Sequence, residues 1–241
     1  MNKIDNEKTI LALKKGDVNG DGINDIVYLI GNKNVDNSPF ITNISILIKD
    51  GKTNEVYEIV LKENVGYNPT LYLYNFTNQN MDDIFVAIDS GGSGGFGYFY
   101  IYSFKDNQAL KVFDFESFSS KYNYVVIYKD NYLVEVKNNT LKKSFLIDIS
   151  GRDKDYLNSI YYPNGKLIKN INGLVGDLNN LYPVDIDRNG IEELYALQRV
   201  TGLYNADSLG VLETPLIFKD GSFVIFNDNQ TLSIYETDYN K

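Results

Sequence analysis

The chain has no cysteine, no histidine and no tryptophan. Each absence removes a chemistry. Without cysteine there is no disulfide framework, thiolate nucleophile, iron–sulfur cluster or thiolate zinc site. Without histidine there is no Ser-His-Asp triad, and the imidazole ligands usual for zinc, copper and haem are missing. A metal bound here must be held by oxygen, and oxygen selects hard ions such as Ca²⁺ and Mg²⁺. Positive charge is also scarce: 23 basic residues face 32 acidic ones, for a net charge of −9. Lys and Arg form no cluster, so neither a nucleic acid nor an anionic membrane is expected as a partner. No segment approaches the ~20 apolar residues of a membrane-spanning helix, so membrane insertion is not expected. Residues 1–8 are polar and show no secretion signal. Location stays open on this reading, and an extracellular or cell-surface place fits if a signal has been trimmed.

What is present is a globular composition, 43% hydrophobic over 241 residues. That length suits one large domain or two small ones. Short runs rich in Val, Ile, Tyr and Phe recur along the chain, among them 25–30, 41–48, 84–88, 98–104, 124–128 and 223–226. Such residues fit a pleated surface. Asp50-Gly51, Asn164-Gly165 and Asp220-Gly221 read as turns between runs. One short helical stretch is expected after Asp153, through Tyr156 to Ile160. Many short strands indicate a sandwich, a barrel or a propeller.

Internal repeats choose among these. Segments 16–27, 74–85 and 184–195 align, with Asp17 and Asn75 separated by 58 residues and Asn75 and Asp185 by 110. A period near 55–58 residues with about four strands per period predicts an all-β, β-propeller-like single domain over 1–241. Its repeats would start near 10, 70, 122 and 180, giving about four to five blades of antiparallel strands.

The aligned segments carry the chemistry. Asp17, Asn19, Asp21 and Asp25 fall at positions 1, 3, 5 and 9 of a loop, with Gly22 at 6 and the Ile23 carbonyl at 7. Alternate residues of a tight loop turn their oxygens inward, and glycine permits the sharp turn. Asp185, Asp187, Asn189 and Glu193 repeat the scheme, with Gly190 at 6 and the Ile191 carbonyl at 7. Two Ca²⁺ sites are therefore expected. An EF-hand would need a bidentate Glu at position 12 between helices, but Tyr28 and Ala196 stand there within strand-like runs. The middle copy, Asn75, Thr77, Gln79 and Asp83 with Asn80 for the glycine, is degenerate and expected to keep the turn without calcium.

The loops Asp17-Val-Asn-Gly-Asp-Gly-Ile-Asn-Asp25 and Asp185-Ile-Asp-Arg-Asn-Gly-Ile-Glu-Glu193, each leading into an apolar strand, resemble the FG-GAP/VCBS repeats of integrin-type β-propellers. Three Arg against twenty Lys suggest a bacterial member. The resemblance implies a propeller with structural, oxygen-ligated Ca²⁺. The chain departs from the usual pattern in being short, with few copies of the motif.

Asp89–Gly97 contains a formal G-x-G-x-x-G, but a strand-like run follows it where dinucleotide binding requires a helix. It reads instead as a strand connection or the lip of a ligand site. The acidic residues outside the loops, Asp89, Asp148, Asp153, Asp155, Asp177 and Asp207, show no acid/base spacing and read mostly as solvated turn residues. The 20 Tyr and 13 Phe lie mainly in strand runs and are expected to pack between repeats. The expectation is a monomeric, non-enzymatic binding or structural module with an unidentified protein or glycan partner. A lectin-like domain is the alternative, and a glycoside hydrolase a more distant one.

Overall fold

The computed structural model describes residues 8–33, 38–77 and 80–234. The fold is all-β and its strand pairs are antiparallel. The first sheet is a four-stranded meander of β1 (Thr9–Gly16), β2 (Asp25–Lys33), β3 (Ile41–Lys49) and β4 (Val56–Val60). The second repeats that order with β5 (Tyr67–Tyr74), β6 (Asp83–Asp89), β7 (Gly97–Ser103) and β8 (Leu110–Asp114). A short helix, α1 (Phe115–Lys121), leads to β9 (Tyr124–Lys129), β10 (Leu133–Asn138) and β11 (Lys143–Asp148). After α2 (Lys154–Asn158) come β12 (Asn172–Val184), β13 (Glu193–Thr201), β14 (Ser208–Lys219), β15 (Ser222–Ile225) and β16 (Thr231–Ser233).

A closed ring of separate blades is not what the described residues form. The third and fourth strand groups share one eight-stranded sheet, ordered β11-β10-β9-β12-β13-β14-β15 with β16 beside β14. The cause is β12, a strand of 13 residues. Its start pairs with β9 through Asn172 and Gly173, and from Leu174 it pairs with β13. One strand thus serves two meanders and fuses them.

Burial follows the strand period. In β10, Val134 and Val136 point into the core while Glu135 and Lys137 point out. In β6 and β7 both faces are covered, so nearly every residue is apolar and buried. The aromatics join groups distant in sequence: the Phe223 ring on β15 meets Phe113 on β8 at 5.7 Å and Phe76 at 6.1 Å. Pairs of this kind contribute about 0.5–1.5 kcal/mol each beyond their buried area. A second core, with Tyr128, Val134, Ile160 and Leu212, lies under the fused sheet.

The Asp220-Gly221 turn is a two-residue hairpin between paired Lys219 and Ser222, both turn residues having positive φ. Asp153 caps α2 as expected, accepting from the N–H groups of Asp155 and Tyr156. Helix α1 was not anticipated. It begins where Asp114 accepts from Ser117 N at 2.8 Å. Among the described residues no helix is long and apolar enough to cross a membrane.

Candidate metal loops

Each aligned segment joins the first and second strands of a meander: 17–24 between β1 and β2, 75–82 between β5 and β6, 185–192 between β12 and β13. In the first and third, side chains at alternate positions accept from the backbone two residues on. Asp21 N–H donates to Asn19 Oδ1 at 3.0 Å and Ile23 N–H to Asp21 Oδ1 at 2.9 Å. Asn189 N–H donates to Asp187 Oδ1 at 3.2 Å and Ile191 N–H to Asn189 Oδ1 at 2.7 Å. The position-1 carboxylate accepts from the glycine at position 6 in both, Gly22 to Asp17 at 2.8 Å and Gly190 to Asp185 at 3.0 Å. These glycines have φ of 83° and 84°, the left-handed region that disfavours a Cβ. Gly190→Ala is therefore expected to lower stability by about 1 kcal/mol, read as a lower urea midpoint at unchanged slope.

The residue at position 9 has a role that the spacing did not reveal. Asp25 accepts from Val18 N–H at 3.0 Å, Asp83 from Phe76 N–H at 2.9 Å and Glu193 from Ile186 N–H at 2.8 Å. All three carboxylates are buried. Each clamps the loop entrance onto the first residue of the next strand. Asp25 also accepts from Gly51 N–H at 2.9 Å, which ties the first loop to the β3–β4 turn. In the degenerate copy Asp83 additionally accepts from Thr77 N–H at 2.9 Å, and Asn80 adopts φ of 54° in place of glycine. Gln79 lies outside the described residues.

The two full loops differ in how well they gather charge. Oxygens of Asp185, Asp187 and Glu193 lie within 4.8 Å of one another, the one acidic group of this kind among the described residues. Burial raises the Glu193 carboxyl above its ordinary range, and the neighbouring Asp187 and Asp185 charges raise it further. Asp17, Asp21 and Asp25 are not gathered to that degree. Lys52 Nζ stands 3.7 Å from Asp21 Oδ2. Asn19 is drawn sideways, its Nδ2 donating to Asn107 Oδ1 at 3.1 Å and to buried Asp50 Oδ2 at 3.3 Å.

The loops are also chained together. Asp82 N–H donates to the Asp17 carbonyl at 2.8 Å, and Glu192 N–H to the Asn75 carbonyl at 2.9 Å. In register, position 8 of each later loop bonds position 1 of the loop before it. Asp82 and Glu192 were missed at the sequence level, although both are acidic at the same register position. Burial raises both carboxyls, with Asp17 adding to the effect at Asp82, and Asp185 and Asp82 adding to it at Glu192. Nothing local in sequence marks Asp50 or Asn107 as neighbours of Asn19.

The glycine-rich segment links β6 to β7 and is closed by Ser90 N–H donating to the Phe96 carbonyl at 2.9 Å. Asn179 on β12 donates to the Gly94 and Gly95 carbonyls at 2.7 and 2.9 Å. The segment is thus a connection pinned against β12, followed by a strand and not by a helix.

The family described as the YybI C-terminal domain matches residues 122–232. Over 231 residues the chain is 38% identical to an uncharacterized protein YybI of Bacillus subtilis (strain 168), covering 96% of this chain and 87% of that protein. These matches overturn the membership in the FG-GAP/VCBS repeat family that the loops suggested. The nine-residue aspartate turn is short enough to recur outside that family, and the rest of the chain follows another one.

Proposed function

The chain belongs to the YybI family, and within it we propose a calcium-stabilised, non-catalytic module that binds a partner or serves a structural role. Its strand groups act as an open, propeller-like array held in register at the three chained loops. The observation that carries this reading is the convergence of Asp185, Asp187 and Glu193 within 4.8 Å. Three carboxylates that close repel one another, and a divalent cation relieves that repulsion. Asn189 and the Ile191 carbonyl complete an all-oxygen set suited to Ca²⁺. Asp17, Asn19, Asp21, Asp25 and the Ile23 carbonyl would hold a second ion more weakly, because Lys52 already offers Asp21 a positive charge. The role is structural because the same side chains that would bind the ion also hold the turn between two strands.

Calorimetric titration of the metal-stripped protein with Ca²⁺ tests the reading. Two binding events are expected, the tighter one lost in the Asp185→Asn/Asp187→Asn variant. Absence of Ca²⁺ uptake by the intact protein would sink it.

A further inference from the structure

The first sheet and the fused sheet each end on an open strand. Among the described residues β4 pairs only with β3, and β11 only with β10. Other outer strands are covered, β1 lying against β5 and β8 against β15. An open strand presents a row of unpaired N–H and C=O groups. The ladder shows which residues present them, since successive residues turn their backbone groups to opposite sides. Ile149 N–H donates to the Tyr132 carbonyl at 2.9 Å, so Ile147, Phe145 and Lys143 turn theirs toward β10. Ser144, Leu146 and Asp148 are left with N–H and C=O on the open side. On β4, Asp50 N–H donates to the Glu55 carbonyl at 2.9 Å, which by the same alternation opens Val56, Glu58 and Val60.

The two edges differ in what they invite. β4 carries the Glu58 carboxylate at the middle of its open row, a charge that discourages pairing. On β11 the middle residue is Leu146, 62% exposed. The strand has no proline, and its register with β10 is unbroken. Phe145 and Ile147, on the opposite face, pack into the second core and hold the edge in place. Charge lies only at the ends and is of opposite sign. Lys142 and Lys143 open the strand, and Asp148 closes it. Neither Lys142 nor Asp148 is in an ion pair among the described residues.

Such a strand is complementary to itself. Two antiparallel copies are related by a two-fold axis perpendicular to the sheet, which keeps both cores on the same side. With Leu146 on that axis, it meets the partner's Leu146, and Ser144 meets the partner's Asp148. All the open residues then exchange backbone hydrogen bonds across the junction. Phe145 comes beside the partner's Ile147 on the core side. Lys142 falls diagonal to the partner's Asp148, within reach of a long side chain. Basic end thus meets acidic end twice, and no like charges stand opposite each other.

We propose that β11 pairs with β11 of a second copy of this chain, joining the two fused sheets into one across a two-fold axis. The monomer expected from the sequence is then the dissociated form. The interface shares no residue with the calcium loops and does not rest on them.

A single strand pair is at the small end of specific interfaces, so dissociation is expected at about 10–100 µM. Sedimentation velocity of the intact protein across that range should show the 27.4 kDa chain giving way to a species of twice its mass. Leu146→Lys sets two like charges face to face on the axis and should weaken the dimer by more than about tenfold. Leu146 is exposed, and circular dichroism checks that the variant is folded. Lys142→Asp and Asp148→Lys should each weaken the dimer, and the two together should restore it. Val60→Lys on the β4 edge should leave it unchanged. A protein that stays monomeric up to about 1 mM overturns the proposal. So does a dimer that Leu146→Lys leaves intact, one that Val60→Lys dissolves, or charge reversal without rescue.

Discussion

Saturating Ca²⁺ is expected to raise the melting temperature by roughly 10–20 °C over the same protein in EDTA. The size follows from mass action. An ion at 100 times its dissociation constant stabilises the state that binds it by about 2.7 kcal/mol per site, and each kcal/mol moves the midpoint of a domain this large by about 2–4 °C. The two sites should not contribute equally. In the third loop the carboxylates of Asp185, Asp187 and Glu193 are gathered, and no Lys or Arg pairs with them among the described residues. In the first, Lys52 lies 3.7 Å from Asp21. Asp185→Asn/Asp187→Asn should therefore remove more of the calcium-dependent shift than Asp17→Asn/Asp21→Asn. Mg²⁺ should give a smaller shift, because it demands near-ideal octahedral geometry and gives up water reluctantly. Equal melting temperatures in Ca²⁺ and EDTA would count decisively against metal binding by these loops.

The legible parts of the sequence were those with strong local signals. The loops announced themselves because their side-chain spacing and glycines sit within nine residues, and the all-β class because strands such as β3 and β7 are runs of Ile, Val, Tyr and Phe. What escaped was β1, the first half of β5 and all of β12, the first strands of their meanders. Their hydrophobic pattern is weak for a physical reason: β12 carries Gly173, Gly176, Asp177, Asn179 and Asn180, and half-exposed Leu174, Tyr182 and Val184. A strand whose buried positions are few and irregularly spaced, here Gly176, Leu178 and Leu181, shows no clean alternation. Missing β12 also hid the fusion of two strand groups into one sheet. A count of repeats therefore led to separate blades throughout, where the third and fourth strand groups make one continuous ladder. The carboxylates at position 9 read as metal ligands because their acidity matched. Their bonds to the N–H at position 2 hold even in the degenerate loop, where Asp83 clamps a turn that lacks the other acidic groups.

Replacing Asp207 by Ala should destabilise the protein by about 3 kcal/mol, the low end of the cost of breaking a buried ion pair. The expected drop in melting temperature is about 6–12 °C. The sequence offered Asp207 as a solvated turn residue, but it is 4% exposed and at the centre of a network. Its carboxylate accepts from Arg152 Nη1 at 3.0 Å, from the Tyr156 hydroxyl at 2.7 Å and from Leu203 N–H at 2.8 Å. Since Tyr156 donates its proton to Asp207, Tyr128 must be the donor in its 2.8 Å bond to the Tyr156 hydroxyl. Arg152 also donates to the Ser208 carbonyl and lies 5.3 Å from the Tyr156 ring centroid. The network joins α2, β9 and the β13–β14 loop, and so pins the crossing between the two fused strand groups. Removing Asp207 leaves three donors facing a cavity, one of them charged. Arg152 retains partial contact with water, its side chain being 25% exposed, which keeps the cost below that of a fully enclosed charge. Asp207→Ala combined with Arg152→Ala should therefore lose less than the sum of the two single changes, by about 1 kcal/mol or more. Strict additivity, or a single-variant shift under a degree, would show that the crossing is held by its apolar contacts alone.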